Sequence, residues 1–221
     1  MNARASLVSL ILVAAAVGCA NKSQPPAAPP PVSEFDKAKA PPIAAKTRFA
    51  AGQVAEGQGQ YEQAARQYQA SLKIEPKYAD AMFRLGIVQT VMKDYPAAIA
   101  TWNQYVTLTN SAAAYGNLGF CEELAGNPGA AEGAYLKGIE RDPSGEPCHI
   151  NYGLMLARHG RPNEGLLQLQ AVLPPAKAHY DLASVYEMTG RKKEAKAEYT
   201  KALQLDPGLS DAKERLASLS E

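Results

Sequence analysis

The stretch AAAYGNLGFCEELAGNPGAAEGAYLKGIERDPSG, residues 112–145, decides the fold. Tyr115 and the pair Leu118-Gly119 lead into Gly126; Ala131 and Tyr135 follow, and Pro143 closes the block. The block reads as two antiparallel helices. Their turn falls near Gly126, because glycine suits the left-handed residue that ends a helix. The second helix stops before Pro143, which cannot continue one.

The same order of residues returns on both sides at a period of about 34 residues. Residues 45–78 carry Ala51-Gly52, Gly59, Tyr61, Ala64, Tyr68 and Pro76. Residues 79–111 carry Leu85-Gly86, Tyr95, Ala98 and Trp102, and Asn110 stands where the other blocks have proline. Residues 146–175 carry Tyr152-Gly153, Gly160, Gly165 and Leu169, and end early at Pro174-Pro175. Residues 176–209 carry Leu182-Ala183, Tyr186, Gly190, Ala195, Tyr199, Ala202 and Pro207.

Counted from the first residue of each block, positions 8 and 20 hold small pairs: Gly52 with Ala64, Gly86 with Ala98, Gly119 with Ala131, Gly153 with Gly165, and Ala183 with Ala195. A glycine inside a helix costs up to about 1 kcal/mol against alanine. Glycines in register therefore imply that the two helices approach closely there, with the large residue at position 24 filling the space beside the contact. One such hairpin cannot cover its own apolar face, so the copies must stack and the ends need a polar cover. Residues 210–221 fit a capping helix. Ser210 or Asp211 is expected to cap its amino end. Ala212, Leu216 and Leu219 form its apolar face, and Lys213, Glu214 and Arg215 face water.

Over residues 45–209 this pattern resembles the tetratricopeptide repeat family. The resemblance implies an all-α solenoid of five helix-turn-helix repeats, with residues 146–175 a shortened fourth copy. It also implies that the first helices line a concave surface. There, position 5 holds Phe49, Phe83, Gly116, Ile150 and Tyr180, and position 9 holds Gln53, Ile87, Phe120, Leu154 and Ser184. These side chains are either an apolar groove for an amphipathic helix or an extended peptide, or part of the array's own core. Phe83 and Phe120 are the strongest groove candidates, with Phe49, Leu154 and Tyr180 beside them. Asn117 and Asn151 recur at position 6, where an amide either bonds a bound peptide's backbone or is simply solvated. The clamp of Lys at position 5 and Asn at position 9, by which chaperone-tail-binding members of the family hold a terminal carboxylate, has no counterpart here.

The amino terminus reads as an address. Arg4 precedes an apolar run from Leu7 to Val17 broken only by Ser9, too short to span a bilayer and suited to a signal segment over residues 1–18. Ala16-Val17-Gly18-Cys19 resembles the bacterial lipobox, which makes Cys19 the expected lipid attachment site; a conventional signal peptide or an uncleaved anchor is the alternative. Several acyl chains, at about 0.8 kcal/mol per buried methylene, hold a protein firmly without a membrane-spanning helix. Ala20 follows the cysteine, which by resemblance to known sorting behaviour implies the outer membrane, facing the periplasm. Residues 19–44 read as the lipidated end and a linker rich in proline and alanine, in which residues 21–42 are expected to form an extended spacer of roughly 70 Å at most.

The whole chain carries a formal net charge of +1, and apolar residues make up 46%, enough for a substantial core. Without residues 1–18, whose one charged residue is Arg4, the net charge is +1 minus 1, or 0. Such a chain has no electrostatic reason to seek nucleic acid. Cys121 and Cys148 fall about 10 Å apart along neighbouring first helices at 1.5 Å per residue, so two free, buried thiols are expected. His149 and His179 share position 4 and read as structural, since two histidines make a poor zinc site. Glu122-Glu123 and Glu187 read as ordinary charges on solvated helix faces. No catalytic, phosphate-loop or dinucleotide motif is present, so neither an enzyme nor a cofactor is expected. The expected function is a membrane-anchored scaffold that binds a protein or peptide partner; the alternative is an accessory or regulatory subunit of a cell-envelope enzyme. In architecture the chain is similar to the tetratricopeptide lipoproteins of tight-adherence and type IV pilus assembly, which implies a role in assembling an envelope complex.

Overall fold

A computed structural model describes residues 44–219. The signal segment, Cys19 and the proline tract lie outside the described residues, as do the last two residues of the capping segment. Among the described residues there are eleven helices and no strand. Five hairpins come first: α1 (Ala45–Gly57) with α2 (Tyr61–Ile74), α3 (Ala79–Val91) with α4 (Tyr95–Thr109), α5 (Ala112–Leu124) with α6 (Pro128–Arg141), α7 (Glu146–Arg158) with α8 (Pro162–Gln170), and α9 (Pro175–Met188) with α10 (Lys192–Leu205). A single helix, α11 (Ser210–Ser218), closes the series. Each hairpin packs internally and each second helix packs on the first helix of the next hairpin, which is the tetratricopeptide solenoid.

The turns follow from their residues. Gly59, Gly126, Gly160 and Gly190 take φ of +72°, +82°, +80° and +76°. The second hairpin has no glycine there, and Lys93 takes the left-handed conformation at φ 60°. A side chain in that region costs about 1–2 kcal/mol, and glycine returns part of the gain as unfolded-state entropy. Lys93→Gly should therefore stabilise the chain by about 0.5–1 kcal/mol, read as a raised urea midpoint; a lowered midpoint would refute the strain. Where Asn110 replaces proline, it ends α4 in the left-handed conformation at φ 47°.

The glycines at position 8 make their tightest contacts with the large ring at position 24 rather than with the small residue at position 20. A methyl added to Gly52, Gly86 or Gly119 would lie 2.5 Å from Tyr68, 2.6 Å from Trp102 or 2.8 Å from Tyr135. In the fourth hairpin the paired small residues bring backbone against backbone: a methyl on Gly153 would meet the Gly165 carbonyl at 2.8 Å. Here the filler is Leu169, fully buried, and α8 is five residues shorter than α10 (9 against 14 residues).

The closing helix differs from expectation at its start. Its N-cap is Leu209, with no side-chain cap, and Ser210 is already helical. The tight turn before it explains this: the Gly208 and Leu209 N–H groups donate to Asp206 Oδ1 and O at 2.8 and 3.2 Å, so the helix begins one residue early. Ala212 is buried, and Leu216 and Leu219 pack on the last core cluster. Arg215, expected to face water, instead reaches Glu187 at 3.6 Å.

Candidate functional site

The face formed by the first helices is organised by pairs twelve residues apart. The phenols of Tyr68, Tyr135 and Tyr199 donate to Glu56, Glu123 and Glu187 at 2.5, 3.4 and 2.7 Å. In the second hairpin the Trp102 indole N–H donates to Thr90 Oγ1 at 3.3 Å. Three of these acceptors also meet an arginine from the following hairpin or from the closing helix: Arg84 on Glu56 at 3.3 Å, Arg158 on Glu123 at 2.9 and 2.7 Å, and Arg215 on Glu187 at 3.6 Å. Glu123 is thus a joint between hairpins and Glu187 a joint to the closing helix, not ordinary solvated charges; the sequence signal was the recurring interval between position 12 and position 24.

Burial and the neighbouring carboxylates push these phenols up. Tyr199 rises to about 12, chiefly by desolvation, with the Glu187 hydrogen bond adding to it. Tyr68 and Tyr135 rise further, burial again coming first. Because the folded values lie above the unfolded value of about 10, the unfolded chain gives up these protons first. Stability is complete below pH 10 and is lost as pH rises from there through the folded values. We expect phenolate absorbance from Tyr68, Tyr135 and Tyr199 to appear only together with loss of helical ellipticity. Ionisation of every tyrosine with the helices intact would refute the burial of these phenols.

The expected groove residues divide. Phe120 is 43% exposed. It lines a depression of about 190 Å³ between α3 and α5 together with Asn117, Ile87, Thr90, Val91 and Trp102. On the other side of α3 a second depression, about 350 Å³, is lined by Gln53, Glu56, Tyr61, Arg84, Ile87 and Val91 among others. Phe83 is half-buried, its ring 5.7 Å from both Trp102 and Tyr105. Phe49 lies 5.7 Å from Tyr68 and 5.1 Å from Tyr78. Tyr180 lies 5.5 Å from Tyr199, with Lys177 Nζ over its ring at 4.5 Å. Leu154 and Ile150 pack on the last core cluster. Asn117 and Asn151 are half-buried, and among the described residues neither amide has a hydrogen-bond partner.

From α5 onward the first helices close up, α5 packing directly on α7 and α7 on α9. Gly116 permits the first of these approaches. It is buried rather than groove-lining, and a methyl there would lie 3.2 Å from Cys148 Sγ. The Cys148 thiol donates to the Ala112 carbonyl at 3.4 Å. Cys121 is buried separately beside Thr90, and burial pushes both thiols up.

The two histidines have separate partners. Each ties its own hairpin through position 23: His149 Nδ1 lies 2.9 Å from Gln168 Oε1, and His179 Nδ1 lies 2.6 Å from Glu198 Oε2. Arg48 does the same, donating to Gln67 at 3.1 Å. His149 Nε2 also reaches the Pro143 carbonyl at 3.1 Å, spanning the loop between hairpins.

Residues 49–113 match the tetratricopeptide repeat family, and residues 176–209 match it again. The chain carries tetratricopeptide repeats. Solved structures agree on the fold. The MamA protein is 21% identical with a TM-score of 0.61, over 74% of this chain and 92% of that one. YrrB, described as a tetratricopeptide protein with an unusual peptide-binding site, is 20% identical with a TM-score of 0.55, over 77% and 91%. A thermophilic tetratricopeptide protein of Thermus thermophilus is 24% identical with a TM-score of 0.54, over 80% and 98%. No curated protein matches the sequence. Within the tetratricopeptide array, then, the first helices of the first three repeats leave two depressions beside α3, and from the third repeat on the first helices pack against one another.

Proposed function

We propose that this tetratricopeptide array is a protein-binding scaffold, that its peptide seat lies on the first helices of repeats one to three, and that a lipid on Cys19 holds it at a bacterial outer membrane, facing the periplasm, where it helps assemble a cell-envelope complex. The observation that carries the seat is the exposed Phe120 over an apolar depression, continued by Val91 and Leu124, which are 50% and 43% exposed. Adjoining exposed apolar side chains on a folded domain mark an interaction surface, and a depression beside a half-buried, unpartnered amide suits a peptide that brings both an apolar side chain and a backbone. The peptide-binding site described for YrrB supports the same reading. For the anchor, the support is the signal-like run ending at Cys19; among the described residues no helix is long and apolar enough to cross a membrane.

A photo-crosslinking residue placed at Phe120 in the living host should give discrete adducts, and one at Leu136, exposed on α6, should not. Phe120→Asp should abolish capture with helical content unchanged. Adducts from Leu136 alone would move the binding surface elsewhere. Cys19→Ser should release the chain from membranes, and its retention there would overturn the lipid anchor.

A further inference from the structure

The two depressions flanking α3 differ in chemistry, and the difference specifies a ligand. They share Ile87 and Val91, so they are neighbouring seats on either side of one helix. The seat towards α5 is lined by no charged side chain. The seat towards α1 holds Arg84 and Glu56. Both Glu56 oxygens are already engaged, Oε2 by the Tyr68 phenol and Oε1 by Arg84. Arg84 is engaged far less: among the described residues its one hydrogen bond is long, 3.3 Å, and its side chain is 43% exposed. By contrast, Arg158 grips Glu123 through two N–H groups at 2.9 and 2.7 Å, and Arg161 reaches both Glu132 and Glu164. The charge that the α1-side seat offers to a ligand is therefore a guanidinium with free N–H groups, a fork that matches a carboxylate.

We propose that the partner is an extended segment that places a bulky apolar side chain in the seat under Phe120 and an acidic side chain on Arg84. This rests on the peptide-seat reading above. The seats lie a helix width apart, about 10 Å, so at roughly 3.3 Å per residue the two anchors stand about three residues apart. The acid is a side chain within the segment, because a single guanidinium lacks the converging donors that would fix a chain end.

The test uses random peptides displayed on phage and selected on the full chain in detergent, then synthesised and titrated against the fluorescence of Trp102, the chain's one tryptophan, which lines the apolar seat. Selected peptides should pair Asp or Glu with Leu, Phe or Met about three residues away. Replacing the acid by its amide in the peptide, or Arg84→Gln in the protein, should weaken binding about tenfold, the usual worth of a hydrogen bond to a charged group. Arg84→Lys should keep the acidic preference with a smaller loss. Arg84→Glu should instead select Lys or Arg at the same spacing. Peptides that depend on Phe120 but show no acidic preference, and bind the amide form equally well, would overturn this inference and leave the seat standing. Selection unaffected by Phe120→Asp would overturn both. The amide peptide needs no altered protein, so the outcome does not hang on whether the Arg84 variants fold.

Discussion

Gly165→Ala should destabilise the chain by about 3 kcal/mol or more, although it adds one methyl group to a helix. Alanine is the better helix former by about 1 kcal/mol, so the sign alone is diagnostic. The new carbon would press on the Gly153 carbonyl oxygen, with the Ala157 N and Cβ at 3.2 and 3.4 Å. Two of those atoms are backbone, so no side chain can swing aside and α7 and α8 must separate. The control is Gly133→Ala, on the exposed side of α6, where an added methyl meets nothing within 4 Å; it should stabilise by about 0.5–1 kcal/mol. Urea unfolding of the two variants settles the matter. If Gly165→Ala cost no more than Gly133→Ala gains, the backbone contact in the fourth repeat would be wrong.

The contrast between these glycines shows what the sequence could and could not convey. Spacing alone located Gly52, Gly86, Gly119 and Gly153, the turn glycines, and the proline stops, because each sits where a backbone or a ring leaves one solution. It did not reveal that Gly52, Gly86 and Gly119 serve the ring at position 24 while Gly153 serves another backbone, since both uses demand the same missing side chain. Lys93 was invisible for the opposite reason: the fold imposes a left-handed turn that its residue does not announce. Among the groove candidates, Phe83 and Phe120 look alike in sequence, four positions into one helix and eight into the next. Phe83 faces Trp102 and Tyr105, whereas Phe120 stays exposed because α3 and α5 leave a gap between them. That gap depends on how whole helices sit, which residue types at single positions do not fix. Gly116 illustrates the same limit, read as lining a groove and found under the Cys148 thiol.

Ala157→Glu should destabilise the chain by about 3 kcal/mol or more, even though glutamate is the residue at this place in three of the other repeats. Glu56, Glu123 and Glu187 are tolerated because a phenol donates to each and an arginine from the next hairpin or the closing helix reaches each. Ala157 is 3% exposed and its partner twelve residues on is the fully buried Leu169, so a carboxylate there would find no donor. The residue of the following repeat that corresponds to Arg84 and Arg215 is Asp181, which would repel it. Burial without a partner raises a carboxyl's pKa, so the penalty should grow as pH rises above about 4.3, the unfolded value, and shrink in acid. Leu169→Tyr alone should also destabilise, since it buries a phenol without an acceptor. Together the two changes rebuild the pair found in three of the other repeats, although α7 and α8 must move apart to admit the ring, because Gly153 already lies against the Gly165 carbonyl and Leu169. The double variant should therefore lose about 1 kcal/mol less than the sum of the single losses, and adding Asp181→Arg should recover more. Strict additivity across the cycle would mean that acceptor and ring are independent features, and that the fourth repeat is apolar at both positions by coincidence rather than because neither member is stable without the other.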